Sequence, residues 1–457
     1  MKILSERDPI EVFSDASEIL NKAVEHTLGP EGTNTAVHFQ NFYNIINDGK
    51  SIVEQLTSID PELAPAMETL KQSAFETNRK AGDGTTSTII IMNRLIKGAR
   101  KYLNDHKDRN KVYLANRLLD TEKKLQDLIK KQKVSIDDKL YERVAKVSLG
   151  SSEHSQLVAE AFTFLDGDGA PALVKSDIPG VELEKIDGVN LTKTSVASSM
   201  FIDLLPSKEL ENVQIITLFQ VIDRFEEMFQ LVKLLNQSKD KYTILLYNEI
   251  SSSALENLLF NLSQDRSKII PICMKNYGKD MNNLLDEIAH YTETDIIDGG
   301  SLKTTDVSKI RIGSANKAIL SQESLVLIRN EIPDYDYRLI SRKACLIRAG
   351  GATKIDMEDT YRRLEDAIYS LAGAIKNGAF FGGYGLPYRS LANDIDDVDV
   401  PKFIVDALSY INKNIFNENA DSDAVDSALV VSEVIRNSFY TAAQVITTNA
   451  IIYDNIR

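Results

Sequence analysis

The sequence predicts a multidomain α/β protein in which a strand-rich middle interrupts an otherwise helical chain. Two observations carry this. With 457 residues the chain is about three times the usual domain of roughly 150 residues, and its 43% hydrophobic, 26% charged composition is that of ordinary globular cores. The hydrophobic rhythm also changes along the chain, from helical spacing, to short β runs alternating with helices, and back to helical spacing.

In the first third, Ser14 to His26 places Ala16, Ile19, Leu20 and Val24 at helical spacing and stops at Leu28-Gly29-Pro30-Glu31-Gly32. Thr35 to Ile46, β-branched and aromatic but broken by Gln40-Asn41, predicts a strand pair. Helices follow from Pro61 to about Lys80, with Leu63, Met67, Leu70 and Ala74 on one face, from Thr86 to Leu103, and from Tyr113 to about Lys133. The stretch from Asp166 to Asp187 is rich in turn residues. After Gly188 come β runs at Val213–Phe219, Tyr242–Tyr247 and Ile269–Cys273, separated by helices at Phe225–Leu235 and Ala254–Leu262. Beyond about Cys345 the pattern is helical again, over Asp356–Lys376 and Ala424–Val445, and the chain ends on the β run Ala450 to Tyr453.

Composition removes several function classes. Lys and Arg total 53 against 67 Asp and Glu, a net charge of -14, so the broad cationic surface that nucleic acids require is missing. No apolar run reaches the ~20 residues of a membrane helix; Ile89-Ile90-Ile91-Met92 stops at Asn93. The N-terminus turns charged at Lys2 and Glu6 and does not read as a signal peptide. Cys273 and Cys345 are too few for a disulfide framework, which places the expected location in the reducing cytoplasm. The five histidines show no metal-ligand spacing, and Asn47-Asp48-Gly49-Lys50-Ser51 lacks the first glycine of a phosphate loop of the Gly-x-x-x-x-Gly-Lys-Ser type.

One motif carries chemistry. Gly82-Asp83-Gly84-Thr85-Thr86-Ser87-Thr88 stands directly before an apolar helix. Glycines let backbone approach a ligand, and a helix start offers unpaired N–H groups to an anion. Asp83 would repel a bare phosphate, so its place there implies a bridging cation, most naturally Mg²⁺. An isolated Gly-Asp-Gly is ordinarily only a capped helix start; the hydroxyls of Thr85, Thr86 and Ser87 turn the balance toward phosphate.

With these pieces the chain resembles, nearly end to end and in family order, a group I chaperonin of the bacterial GroEL type. Thr27-Leu28-Gly29-Pro30, Asn47-Asp48-Gly49, Gly82 to Thr88, Arg363-Leu364-Glu365-Asp366-Ala367, Gly382-Gly383 and Val445-Ile446-Thr447-Thr448 are similar to that family's motifs. The resemblance implies a chaperonin fold, with a mostly helical equatorial domain (1–133 and 379–457), a small hinge-like intermediate domain (134–187 and 344–378) and an α/β apical domain (188–343). It implies an ATP-dependent chaperone that forms a homo-oligomeric, heptamer-like ring, encloses unfolded polypeptides, hydrolyses ATP and works with a co-chaperonin lid. Asp83 is then the Mg²⁺ ligand, Gly84, Thr85, Thr86 and Ser87 the phosphate cradle, and Thr27, Leu28, Gly29 and Pro30 the opposing wall, which contributes to a K⁺ site. Asp48 lies near the γ-phosphate, Asp366 positions or deprotonates the attacking water, and Gly382, Gly383 and Asp426 face the sugar and base. An Asp with an unperturbed pKa of about 3.9 is ionised at neutral pH and better suited to positioning than to strong base work. Val232, Leu255, Leu259 and Phe260 are expected to face the apolar polypeptide groove, although amphipathic helices normally bury about half of such residues.

The chain departs from the family in ways that bear on function. Glu31 and Asn47 replace basic residues, the loop expected to contact adenine is missing between Gly383 and Asp426, and Arg342-Lys343 replaces a hinge glycine pair. These reductions describe a shortened, divergent member such as a compact phage genome would carry. They also leave open a passive polypeptide-holding or assembly protein with weak or lost ATPase; retention of Asp48, Asp83 and Asp366 argues for the active form. Ring closure would pair the Thr35 to Ile46 strands with a neighbour's terminal strand, Ala450 to Tyr453.

Overall fold

A computed structural model of the full chain describes residues 2–29, 32–39, 42–58, 60–106, 110–150, 152–166, 169–191, 194–237, 241–274, 279–298, 309–320, 325–335, 337, 339–340, 343–395, 400–417 and 423–454. Pro30, Glu31 and Arg342 of the sequence reading lie outside them. The chain divides into two compact units: residues 1–160, 175–180 and 349–457, and residues 161–174 and 181–348. This division is coarser than the five segments expected from the resemblance.

The first unit is built on helices from both ends of the chain. Pro9–Val24, Ala64–Ala81, Thr85–Asp105, Lys111–Gln132 and Ala428–Thr447 pack together. Leu20, Leu70, Ile90, Leu118, Val434 and Phe439, each fully buried, belong to one shared core. Burial of this shared core joins helices far apart in sequence, and buried hydrogen bonds add to it, such as Thr441 Oγ1 donating to Ser73 Oγ at 2.9 Å. The boundaries follow local chemistry. Asp8 accepts from the Ile10 N–H and caps the first helix, with Pro9 in its first turn, and Gly82 ends Ala64–Ala81 in the left-handed conformation. The helix Lys354–Asn377 packs on Tyr141–Leu149 and on Ala428–Thr447.

Small sheets complete this unit. Thr35–Phe39 and Phe42–Ile46 form the expected antiparallel pair, His38 opposite Tyr43. Ile452–Asp454 pairs with the chain's own Lys2–Leu4, Tyr453 opposite Ile3, so one edge of the terminal strand is already used. The helix expected from Ala424 begins instead at Ala428: Val425–Ser427 is a strand antiparallel to Ala379–Phe381, with Asp426 opposite Phe380.

The second unit holds the α/β rhythm. Among the described residues its large sheet has eight strands, with Glu209–Ile222, Thr243–Ile250 and Ile269–Met274 adjacent and parallel, joined through helices as the sequence predicted. Their inner faces are almost wholly apolar and buried, from Ile215 and Ile216 to Ile244, Leu245 and Leu246, as expected of strands covered on both faces. The turn-rich stretch contains two strands, Ala172–Lys175 and Val181–Asp187, with Lys343–Ala349 between them. The helical pattern expected beyond about Cys345 therefore starts later, at Lys354.

Candidate nucleotide site

A cleft opens in the first unit and gathers residues from eight separate chain segments. Its floor is the Gly82–Ser87 run. Gly82 and Gly84 have φ +74° and +93°, a region that side chains avoid. A Cβ on Gly84 would lie 2.7 Å from Val434, and one on Gly82 would lie 2.1 Å from the Tyr369 Cβ. Close packing and backbone twist both require glycine there. Gly84 offers no side chain to cap the following helix, so the N–H groups of its first turn are left for an anion. The buried Thr85 hydroxyl and the Ser427 hydroxyl both line the cleft and have no protein partner. Leaving such a group unbonded costs about 1–3 kcal/mol, which a ligand oxygen would offset.

Asp48 faces the cleft from a second turn. Its carboxylate accepts from the N–H groups of Lys50 (3.2 Å) and Ser51 (2.8 Å), capping Gly49–Gln55. Gly49 is in close contact: a Cβ there would lie 2.1 Å from the Thr86 Oγ1. Asn47, where a lysine was expected, donates to the Gly32 carbonyl at 2.9 Å and to Asn34 Oδ1 at 3.2 Å. It therefore ties the Thr27 loop to the Asp48 turn. In that loop Thr27 is buried and donates to the Val24 carbonyl, Gly29 has φ +86°, and Thr27, Leu28 and Gly29 all line the cleft.

Asp366 reaches the same cleft from Lys354–Asn377. Ser370, one turn later on that helix, donates to Asp83 Oδ2 at 3.3 Å, as does Ser148. The Gly84 N–H donates to the other Asp83 oxygen. Asp426 lines the cleft from its strand, beside Tyr388 of the Leu386–Asp394 helix. Sequence reasoning missed Ser148, Ser370, Tyr388, Arg362 and Phe416. Only Ser370 left a signal, four residues after Asp366 on the same helical face. Gly382 and Gly383 do not line the cleft; Tyr384 and Gly385 do. Gly382 instead approaches Leu386, and Gly383 approaches Ala424.

The electrostatics are those of crowded like charges. Asp83, Asp366 and Asp426 are half-buried by area and line the cleft. Burial, then the charges of Asp83 and Asp48, push the Asp366 carboxyl well above the carboxylate range, while Lys50 pulls it back. Asp366 is therefore not the unperturbed carboxylate the sequence predicts; its pKa is raised by burial and by its acidic neighbours. Burial raises Asp83 against the opposing hydrogen bonds of Gly84, Ser148 and Ser370, and Asp48 adds to the rise. Burial and Asp83 push Asp426 up to about 7. The Tyr388 phenol is held well above 10 by burial and by Asp426 and Asp83, and it bonds with Ser87 as a neutral group.

Carboxylates pressed together in this way fit a cation. Among the described residues no cluster of three ligating side chains could enclose a metal. An ion here would complete its shell with water and ligand oxygens, the habit of Mg²⁺ with phosphates.

The expected polypeptide surface lies in the second unit. On Ser252–Ser263, Leu255 and Leu259 are half-buried and Phe260 is 54% exposed. Val232 does not face outward: the short helix Phe229–Leu235 turns Leu231, Val232 and Leu235 into the core. The outward apolar group on that helix is Phe229, 58% exposed.

Residues 20–399 match the model of the TCP-1/cpn60 chaperonin family. The chain is 23% identical over 416 residues to chaperonin 60 subunit beta 4, chloroplastic, of Arabidopsis thaliana, covering 84% of this chain and 67% of that protein. Its fold is similar to crystal structures of the chaperonin gp146 from bacteriophage EL, determined in the presence of ATP-BeFx. One crystal form gives a TM-score of 0.73 at 15% identity over the whole of both chains, and another gives 0.65 at 15% identity over 100% of this chain and 99% of that one.

Proposed function

Because the chain belongs to the TCP-1/cpn60 chaperonin family, and so is an ATP-dependent chaperone, we propose that this cleft hydrolyses ATP and that Asp366 acts on the attacking water. The observation that carries the proposal is the meeting of Asp48, Asp83 and Asp366, from three distant segments, at one cleft beside an uncapped helix start.

Each residue has a role. The first-turn N–H groups and hydroxyls of Thr85, Thr86 and Ser87 would hold phosphate oxygens, and Asp83 would hold Mg²⁺. When bound, that ion neutralises charge between the phosphates. Asp48 fixes the turn facing the terminal phosphate. Asp366, as a carboxylate, would accept a proton from the attacking water; a carboxylate of raised pKa is the better base. Asp426 and Tyr388 lie toward the sugar. The K⁺ site at Thr27 to Gly29 rests on the resemblance alone.

Asp366 and Asp83 reach the cleft from segments far apart in the chain, so movement of the Lys354–Asn377 helix would switch the site on or off. We assign it to an intermediate domain (134–187 and 344–378), between equatorial segments (1–133 and 379–457) and an apical domain (188–343). Unfolded polypeptide binds on Phe229, Leu255, Leu259 and Phe260 of the second unit. Subunits join into a heptamer-like ring through the Thr35–Phe39 and Phe42–Ile46 strands of one copy and the terminal strand of the next. Exposed Ile45 and Ile452 (54% and 62%) support that pairing, and a co-chaperonin lid would close the ring. No described helix is long and apolar enough to cross a membrane. Cys273 and Cys345 form no disulfide with each other, and burial pushes the Cys345 thiol up to about 12; both fit the cytoplasm.

The passive reading is the weaker one. Acidic groups crowded without a cation weaken the fold, and a holding protein has no use for that cost. The test is Mg²⁺-dependent phosphate release by the purified chain. Asp366→Ala should abolish release while nucleotide still binds, and normal hydrolysis by that variant would remove Asp366 from the mechanism.

A further inference from the structure

We infer that the cleft seats the nucleotide base against an aromatic wall formed by Tyr384 and Phe416, and that the chain accepts GTP nearly as well as ATP. The inference rests on the nucleotide reading of this cleft and adds its base selectivity.

Both residues line the cleft, with ring centroids 4.9 Å apart and planes at 46°. Tyr384 holds φ +57°, a left-handed backbone that costs a bulky residue on the order of 1 kcal/mol or more. It stands between Gly383 and Gly385, where a third glycine would have met no such cost. The ring is kept there against strain. Buried Asn412 fastens the turn: its Nδ2 donates to the Tyr384 carbonyl at 3.1 Å, and Arg389 donates to its Oδ1 at 3.0 Å. On the other side Phe416 presses on the Thr27 loop, where a Cβ at Gly29 would lie 2.7 Å from its ring. Leu28 and Ile411 extend the apolar surface.

Every nucleobase has a π-face, and stacking on aromatic side chains is worth about 1–3 kcal/mol per base with little regard for which base it is. Strong rejection of one purine requires hydrogen-bonding groups aimed at its edge. Apart from the Tyr384 hydroxyl, the described side chains of this wall are apolar, and Asn412, the amide beneath it, bonds with the turn and Arg389. Stacking therefore replaces edge recognition, and the wall stands in for the adenine loop this chain lacks.

The test compares ATP and GTP with the full chain, by phosphate release and by calorimetric binding. The expected kcat/KM values differ less than tenfold. Tyr384→Gly relieves the positive φ and so keeps the fold; it should raise KM and Kd for both nucleotides about fivefold to hundredfold, with kcat changed less than threefold. An ATP preference of tenfold or more overturns the inference, as does an unchanged Kd in Tyr384→Gly. Calorimetry separates the two failures. Strict ATP preference with Asp366-dependent hydrolysis sinks only the base assignment, whereas equal binding without hydrolysis sinks only the ATPase reading.

Discussion

The Ser370 hydroxyl donates to Asp83 Oδ2 at 3.3 Å, joining residues 287 positions apart in the chain. Asp366 lies one turn before Ser370, so this bond links the helix that carries the proposed base to the loop that would carry the metal. Removing it in Ser370→Ala takes away one of the hydrogen bonds that favour ionised Asp83. The Mg²⁺ concentration for half-maximal phosphate release should rise several-fold, with stability changed by only about 1 kcal/mol. A Mg²⁺ titration unchanged from the parent would show that Ser148 and Gly84 suffice.

Lys50 is the cation that draws the Asp366 pKa down against Asp83, Asp48 and Glu365. Lys50→Met should let that pKa climb further. If ionised Asp366 is the working form, the acid limb of the kcat profile moves to higher pH, and activity falls more at pH 6 than at pH 9. A loss equal at both values would point to a structural role for Lys50.

Asp426 titrates near 7 in the folded chain, against about 3.9 when unfolded. The folded state thus binds the proton more readily. Its contribution to stability is complete below about pH 4 and is lost as pH rises through about 7. Asp426→Asn should stabilise the nucleotide-free chain at pH 8 by roughly 1–2 kcal/mol, discounted for its open side, and hardly at all at pH 4.5. Thermal melts at the two values decide, and a gain independent of pH would refute the cause given.

Gly84→Ala combines a forbidden φ with a Cβ 2.7 Å from Val434. Destabilisation of about 2 kcal/mol or more is expected, together with loss of ATP binding, because the first turn of Thr85–Asp105 must shift. Urea unfolding and nucleotide titration measure the two effects separately.

Phe229 and Phe260 are exposed while Val232 is buried. The double change Phe229→Ser and Phe260→Ser should leave the melting temperature within about 2 °C and reduce capture of a chemically unfolded client several-fold. Val232→Ala should do the reverse, costing about 1–2 kcal/mol of stability with capture intact. Capture unaffected by the double change would move the client surface elsewhere.

Much of the fold was legible in sequence because it is written in local signals. The helix Ala64–Ala81 and its glycine stop, the helix start at Thr85, and the parallel strands from Glu209 to Met274 all follow from spacing and caps. The failures have local reasons too. Lys343–Ala349 is mostly buried on both faces, so its apolar run shows no strict alternation and was not read as a strand. Lys402–Tyr410 is too short for a clear period. Val232 was misplaced because a seven-residue helix with apolar groups on several faces does not reveal which one meets the sheet.

The sequence by itself determined the helical and α/β segments, the glycine turn before Thr85–Asp105 and the acidic residues, since each depends on neighbours within a few positions. Only the tertiary structure decided that Asp48, Asp83, Asp366 and Asp426 share one cleft, that Tyr384 and Phe416 form its aromatic side, and that Val232 lies inside. Those facts come from burial of a core assembled from both ends of the chain. Burial is a non-directional force, and it leaves in the sequence no record of which distant surfaces it brings together.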